Sequence, residues 1–135
     1  MNVKVFIDSN VFLYTFTDKE PLKQNIAKAL VLAGRHTISV QVVNEVSNNL
    51  LKKLGLVNAD VQDFVDDCYS RYQIENLSQA VFGKAASLRE RYRFSYYDSI
   101  IVSSALLSDC QVLYSEDMQH NLLVDNQLTI LDPFA

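Results

Sequence analysis

Near its start the chain reads Val3-Lys4-Val5-Phe6-Ile7-Asp8-Ser9-Asn10-Val11-Phe12-Leu13-Tyr14. The segment from Val3 to Ile7 is rich in β-branched and aromatic side chains, which predicts a strand buried on both faces. Asp8 follows this strand directly, and Ser9 and Asn10 are residue types that cap a helix. In an open α/β sheet, ligands bind beyond the carboxyl ends of the strands. Asp8 is therefore either a site residue or a plain helix cap.

Length and composition indicate one compact domain. The chain has 135 residues, of which 49% are hydrophobic, and this is enough for a sizeable core. Only 3 Gly and 2 Pro argue against long linkers. No charged leader precedes an apolar segment, and no run of about eighteen apolar residues occurs. We expect a single domain over residues 1–135 in a cytoplasmic protein without a membrane partner.

The net charge of -4 does not decide whether the ligand is a nucleic acid. Phosphate contacts need Lys and Arg, and the chain has 12 of them against 16 acids. If four of the acids bound metal ions, the other acids would only balance the basic residues. Nucleic-acid binding therefore stays open.

The remaining chain alternates between strand and helix patterns. Three further strands are predicted at 37–40, 111–114 and 129–131. Helices are predicted at 11–16, 21–33, 41–54, 59–71, 79–92 and after Ser95. Strands that alternate with helices through right-handed crossovers form a parallel sheet. The predicted fold class is α/β with helices on both faces of the sheet.

Three of the predicted helices have a distinctive pattern of side chains. Apolar residues recur at helical spacing in the helix at 21–33, as Leu22, Ile26, Ala29, Leu30 and Ala33. The inner face predicted for the helix at 41–54 consists of Val42, Val43, Val46, Leu50 and Leu54. The acids of the helix at 59–71 form a solvated outer face, with Asp60, Asp63, Asp66 and Asp67.

Further acids follow the other strands as Asp8 follows the first. Glu45 lies near the start of the helix after the second strand, where the helix dipole alone would also favour an acid. Glu116 and Asp117 follow the strand at 111–114. Asp98 lies three residues after a capping Ser95, in a capping-box position at the start of an almost wholly apolar helix. Parallel topology brings all of these positions to one edge of the sheet.

Several carboxylates at one edge would repel each other unless a cation were present. Mg²⁺ and Mn²⁺ favour carboxylate oxygen, and no His or Cys cluster suggests zinc instead. An acid-only metal site suggests phosphodiester hydrolysis by metal-activated water. Neither a Ser-His-Asp set nor a Gly-rich phosphate loop occurs.

One basic cluster comprises Arg89, Arg91 and Arg93, interleaved with Tyr92 and Phe94. Arg binds phosphate and aromatic rings stack on exposed bases, so the cluster could guide RNA to the acids. An ordinary charged helix end would look the same.

Four segments together resemble a PIN domain, and their order and spacing are similar to VapC-type toxins of toxin-antitoxin pairs. They are Asp8-Ser9-Asn10, Asn44-Glu45, Tyr97-Asp98-Ser99-Ile100-Ile101 and Ser115-Glu116-Asp117. The resemblance implies a three-layer α/β/α fold with a central parallel sheet of four or five strands. It also implies an endoribonuclease dependent on Mg²⁺ or Mn²⁺, acting on RNA such as tRNA or rRNA. A homodimer and a cognate antitoxin are the implied partners.

The same resemblance assigns residues to the site. It implies that the catalytic and metal-binding acids are Asp8, Glu45, Asp98 and Asp117, and it gives supporting roles to Asn10 and Ser115. The segment Met118-Gln119-His120-Asn121 departs from the family, whose members often have Phe or Gly shortly after the last acid. Glu116 is therefore a candidate for an additional or alternative metal ligand.

Three other functions fit parts of the pattern. A PIN ribonuclease that matures RNA without an antitoxin would have the same acids, and a catalytically silent PIN-like scaffold would have less reason to keep them. A phosphoacceptor receiver domain also has an acidic Mg²⁺ pocket. It needs a Lys after a late strand, and no Lys occurs after Lys84.

Overall fold

The computed structural model describes residues 3–135 and contains one sheet of short strands. Its strands are β1 Val5–Ile7, β2 Thr37–Ser39, β3 Gln73–Glu75, β4 Val112–Tyr114, β5 Leu123–Val124 and β6 Leu128–Leu131. They lie in the order β3-β2-β1-β4-β6-β5. All neighbours pair in parallel except β5 and β6, which are antiparallel. The predicted parallel sheet is thus confirmed, with five parallel strands.

Six helices accompany the sheet. They are α1 Ser9–Tyr14, α2 Pro21–Val31, α3 Val40–Lys52, α4 Asn58–Arg71, α5 Gln79–Arg91 and α6 Tyr96–Leu107. Helices α1 to α4 pack against one another, whereas α5 packs against α6. The arrangement confirms a three-layer α/β/α fold. Within residues 3–135, no helix combines the length and apolarity needed to cross a bilayer.

The first strand and the last helix are deeply buried elements. Phe6 and Ile7 of β1 are inaccessible to solvent, and every residue from Ser99 to Leu106 in α6 is buried. The apolar sequence of α6 predicts this burial because no face of that helix is polar. Its small Ser103 side chain donates a hydrogen bond of 2.6 Å to the Val81 carbonyl in α5. Asp8 follows β1 directly and Asp98 lies in the first turn of α6, so two of the acids are attached to these buried elements.

Two strands have no clear signal in the sequence. Strand β3 contains a single apolar residue, Ile74. It pairs with β2 only and forms an edge of the sheet. Strand β5 has two residues and leads into β6 through a turn that contains Asp125 and Asn126, whose φ angles are 51° and 54°. Two consecutive positive φ angles are typical of a tight hairpin turn, in which Gly is the more common signal.

The strand order also bears on the receiver-domain alternative. Doubly wound proteins of the receiver type have the order 2-1-3-4-5, with the third strand beside the first. Here β1 lies between β2 and β4, and β3 lies outside β2. The topology therefore differs from that of a receiver domain.

Helix α2 is where the sequence pattern and the packing disagree. The apolar spacing correctly predicts a helix, but the residues that α2 buries are Ala27 and Val31. Leu22 is 80% exposed and Ile26 is 41% exposed. A helical pattern shows which residues share a face, whereas the neighbouring elements decide which face is covered. Four residues of the predicted stripe of α3, Val42, Val43, Val46 and Leu50, are buried. Leu54 is an exception, because α3 ends at Lys52 and Leu54 is only partly buried.

Two leucine substitutions should distinguish the exposed apolar stripe of α2 from the buried stripe of α3. Leu50→Ala in α3 removes a fully buried side chain and should lower the free energy of unfolding by roughly 2–5 kcal/mol. Leu22→Ala in α2 removes an exposed side chain and should change it by less than about 0.5 kcal/mol. Urea denaturation of the purified protein at one fixed protein concentration measures both values. Similar losses for the two variants would mean that α2 packs through its apolar stripe.

Candidate active site

The two central strands bring Asp8 and Ser115 together. Ile7 at the end of β1 is in register with Tyr114 at the end of β4. The residues that follow, Asp8 and Ser115, therefore lie side by side, and the Ser115 hydroxyl donates a hydrogen bond of 2.8 Å to Asp8 Oδ2. Asp8 also accepts a bond of 2.7 Å from the Ser9 backbone N–H, so it caps α1 as well. Asp8 is therefore both the cap of α1 and part of the candidate site.

The loop after β4 is tied to α1 by Asn10. Asn10 Nδ2 donates a hydrogen bond of 2.9 Å to Asp117 Oδ2, and Asn10 Oδ1 accepts one of 3.3 Å from the Glu116 backbone N–H. The Asp117 N–H in turn donates to the Ser115 hydroxyl. Asn10 and Ser115 therefore both hold acids in place.

Glu45 approaches the same place from α3. Its Oε2 accepts a hydrogen bond of 3.2 Å from the Ser9 hydroxyl, which also lies 3.4 Å from Asp8 Oδ1. Its Oε1 accepts one of 3.2 Å from Gln41, one helical turn earlier. The Ser9 side chain is thus a bridge between two acids. The sequence indicates only a capping role for Ser9, since nothing in its spacing signals a partner 36 positions away.

Asp98 enters from the first turn of α6. The Ser95 hydroxyl accepts a hydrogen bond of 3.2 Å from the Asp98 N–H, which confirms Ser95 as the helix cap. Among the residues described, no return bond joins the Asp98 carboxylate to the Ser95 N–H, so the capping box is incomplete. The Ser95 side chain opposes the rise in the pKa of Asp98. Asp98 also lines a hollow with Asp117.

The four acids affect each other electrostatically. Burial raises the pKa of Asp8 from 3.8 to about 7, and the charges of Glu45 and Asp98 add to that effect. Burial also raises the pKa of Glu45 and of Asp98, and in both cases the charge of Asp117 contributes. Within residues 3–135, none of these four carboxylates forms an ion pair with Lys or Arg. Negative charge is concentrated here without a protein cation to balance it.

Glu116 is engaged elsewhere, although it adjoins Asp117. Its Oε2 forms an ion pair of 2.5 Å with Lys23, and its Oε1 accepts a hydrogen bond of 2.6 Å from the Tyr14 hydroxyl. The Lys23 ammonium also lies over the rings of Tyr14 and Phe134. Burial opposes ionisation of Glu116, but these two hydrogen bonds outweigh it and lower the pKa of Glu116. Both carboxylate oxygens of Glu116 thus have partners away from the other acids.

The donor set suits a hard divalent cation. All four side chains offer carboxylate oxygens, which Mg²⁺ and Mn²⁺ prefer together with water. Each carboxylate oxygen has two lone pairs, so the hydrogen bonds to Asp8 leave acceptor capacity. Among residues 3–135, no three His, Cys, Asp or Glu side chains converge closely enough to surround an ion as they stand. Water or small side-chain rotations would have to complete the coordination.

The three arginines of the basic cluster have different surroundings. Arg91 forms an ion pair with Asp125, which is also bound by Lys84. Arg89 donates a hydrogen bond of 2.8 Å to the Ser99 hydroxyl. Arg93 is exposed and lines the hollow that contains Asp98 and Asp117. Only Arg93 therefore borders the acids directly.

The fold and the site define a parallel α/β domain with a carboxylate cluster at the C-terminal edge of its sheet. The model of the PIN domain family matches residues 5–122. The chain therefore belongs to the PIN domain family. No curated protein sequence matches it.

Solved structures share the fold at low sequence identity. A toxin-antitoxin complex from Klebsiella pneumoniae has a chain that is 20% identical, with a TM-score of 0.72 over 96% of this chain and 98% of that one. Mycobacterium tuberculosis VapC20, a sarcin-ricin loop cleaving toxin, is 15% identical, with a TM-score of 0.70 over 84% and 90%. VapBC2 from Rickettsia felis, bound to promoter DNA, is 18% identical, with a TM-score of 0.67 over 96% and 100%.

The raised pKa of Asp8 predicts how stability depends on pH in the metal-free protein. Between about pH 4 and pH 7 the folded state keeps a proton on Asp8 that the unfolded chain has lost, so stability falls as pH rises. Asn does not ionise, so the Asp8→Asn variant does not lose stability in this way as pH rises. At pH 8 its free energy of unfolding should exceed that of the wild type by roughly 4 kcal/mol. The advantage should shrink towards pH 4.

Urea denaturation in EDTA at pH 5 and pH 8 measures this difference. Asp63→Asn is a matched control, since Asp63 is exposed on α4. The control should show no comparable pH dependence. An Asp8→Asn advantage that is equal at both pH values would contradict the burial of an ionisable carboxyl at this position.

Proposed function

We propose that this protein is an endoribonuclease dependent on Mg²⁺ or Mn²⁺ and the VapC-type toxin of a type II toxin-antitoxin pair. The observation that supports it most is the cluster of four acids at the C-terminal edge of the sheet, none of which forms an ion pair with a Lys or Arg of residues 3–135. A structural cluster of this kind would be destabilising without a bound cation. PIN family membership is the second support.

In this proposal Asp8, Glu45, Asp98 and Asp117 hold the metal. When bound, Mg²⁺ or Mn²⁺ supplies an activated water and stabilises charge that develops on the scissile phosphate. Asn10 orients Asp117, Ser115 orients Asp8, and Ser9 fixes the distance between Asp8 and Glu45. We assign the fourth acid to Asp117 rather than Glu116, because Lys23 and Tyr14 occupy both oxygens of Glu116.

RNA would approach over the hollow that Arg93 lines. Arg93 is exposed beside Asp98 and Asp117, so its guanidinium can contact a phosphate next to the metal site. Phe94 lines the same hollow, and its ring is 5.5 Å from that of Tyr92. Such rings can support an unpaired base. Arg91 would act on stability instead, through its ion pair with Asp125.

We further propose a cognate antitoxin and a homodimer. Structures similar to this chain include toxin-antitoxin complexes from Klebsiella pneumoniae and Salmonella typhimurium. The sarcin-ricin loop cleaved by VapC20 makes ribosomal RNA one candidate substrate, and tRNA is another. Co-expression with the product of a neighbouring small gene, followed by purification of a complex, would support the antitoxin; a PIN ribonuclease of RNA maturation would have no such partner.

Cleavage of total cellular RNA tests the proposal. Purified protein is incubated with Mg²⁺, with Mn²⁺ or with EDTA, and Asp8→Ala is run in parallel to detect a contaminating nuclease. Discrete fragments that need the metal and are absent from the mutant reaction are expected. No cleavage, even after denaturing purification and refolding to remove a bound inhibitor, would favour a silent PIN-like scaffold.

Asp98→Asn should reduce cleavage by at least about 100-fold while the fold is retained. Millimolar Mg²⁺ or Mn²⁺ should raise the melting temperature of the wild type, because the ion binds only the folded state. The increase should be smaller in Asp98→Asn and unchanged in Asp63→Asn, the exposed control. Full cleavage by Asp98→Asn would remove this residue from the site.

The two neighbouring arginines should behave differently when replaced. Arg93→Ala should weaken RNA binding and reduce its salt dependence, since one phosphate contact is lost. Arg91→Ala should mainly lower the melting temperature, because it leaves Asp125 with a single cation. Filter binding at several salt concentrations and thermal denaturation distinguish the two effects. Equal loss of binding for both variants would contradict the assignment of phosphate contact to Arg93 alone.

A further inference from the structure

A second hollow borders the acid cluster and contains no basic residue. It has a volume of about 450 Å³ and is lined by Gln41, Asn44, Glu45, Asn48 and Tyr97. We call it the amide hollow, because three of its five residues have carboxamide side chains. Glu45 belongs to the acid cluster, so a ligand in the amide hollow lies next to the proposed metal site.

The carboxamides come from one face of α3. Gln41, Asn44 and Asn48 are three and four residues apart, which brings them onto a common side of the helix. Gln41 donates a hydrogen bond to Glu45. Among residues 3–135 the side chains of Asn44 and Asn48 form no hydrogen bond, and both residues are exposed. Their donors and acceptors are available to a ligand.

Tyr97 supplies an aromatic surface to the amide hollow. Its side chain is 59% exposed, although it adjoins Asp98 at the start of a buried helix. The Tyr96 ring contacts it edge to face, with centroids 5.3 Å apart. The Arg89 guanidinium lies 5.0 Å from the Tyr96 ring centre and is itself held by Ser99. Arg89 therefore positions the tyrosine pair, which holds a large aromatic ring in solvent beside the acids.

This chemistry differs from that of the hollow lined by Arg93. A guanidinium contacts phosphates and contributes affinity that does not depend on sequence. Carboxamides offer paired donors and acceptors that match the edges of bases, and an exposed aromatic ring stacks on an unpaired base. We infer that the amide hollow binds one unpaired nucleobase of the substrate next to the scissile phosphate and determines which base is accepted. This inference rests on the proposed ribonuclease activity.

Sequence preference is the readout that separates the two hollows. A pool of single-stranded RNA with random sequence is cleaved in Mn²⁺, and the new ends are sequenced. The wild type should favour one base at a single position beside the cut. Asn44→Ala with Asn48→Ala should remove the preference at that position. Arg93→Ala should instead slow cleavage uniformly across sequences.

Tyrosine variants test the stacking surface. Tyr97→Ala should weaken cleavage of the preferred sequence by about 5- to 150-fold, the range for loss of one base stack. Tyr97→Phe keeps the ring and should retain the preference. Tyr69→Ala is the matched control, because Tyr69 is 56% exposed on α4. Asn25→Ala is the corresponding control for an exposed amide on α2.

A binding experiment distinguishes failure of the inference from failure of the proposed nuclease. Asp98→Asn protein is incubated with the same RNA pool, and the bound fraction is sequenced. Asp98→Asn should enrich RNA with one base, and this enrichment should disappear when Tyr97→Ala is combined with Asp98→Asn. That result would support base binding in the amide hollow even if the wild type cleaved nothing. Cleavage or binding with no base preference, or a preference that survives both the Asn44/Asn48 and the Tyr97 substitutions, would overturn the inference.

Discussion

The hydrogen bond between Ser115 and Asp8 is the contact on which the site depends. Two parallel strands that end in register place the hydroxyl and the carboxylate side by side, and both side chains are buried. Asp8 also caps α1, so the same carboxylate fixes the start of the helix that contains Ser9 and Asn10. Ser9 then reaches Glu45, and Asn10 reaches Asp117. One buried acid thus sets the positions of two others.

This arrangement fixes the positions of the acids but disfavours their ionised forms. Burial disfavours the ionised forms of Asp8, Glu45 and Asp98, and mutual repulsion adds to the effect. Apolar residues of β1 and α6, among them Phe6, Ile7 and Ile101, belong to one buried core, which stabilises the elements that precede and contain the acids. Carboxyl groups whose pKa values are raised by burial and by neighbouring acids are typical of functional sites.

Neighbouring residues of the same type acquire different roles from their contacts. Glu116 pairs with Lys23, which leaves Asp117 to face the other acids. Arg91 is bound to Asp125 in the β5–β6 turn, whereas Arg93, two residues later, is exposed beside Asp98. In both cases the decisive partner lies on a distant segment of the chain.

The sequence by itself determined the alternation of strands and helices, the buried α6 and the positions of the acids after the strands, because periodicity and capping are local properties. It did not reveal β3 or β5, whose short edge pairings leave almost no pattern, or the exposed face of α2. The bridge made by Ser9, the pairing of Glu116 and the different surroundings of the three arginines were decided by tertiary structure alone. Each depends on a contact between residues far apart in the chain, and hydrogen bonds and ion pairs of that kind leave no periodic signal in a single sequence.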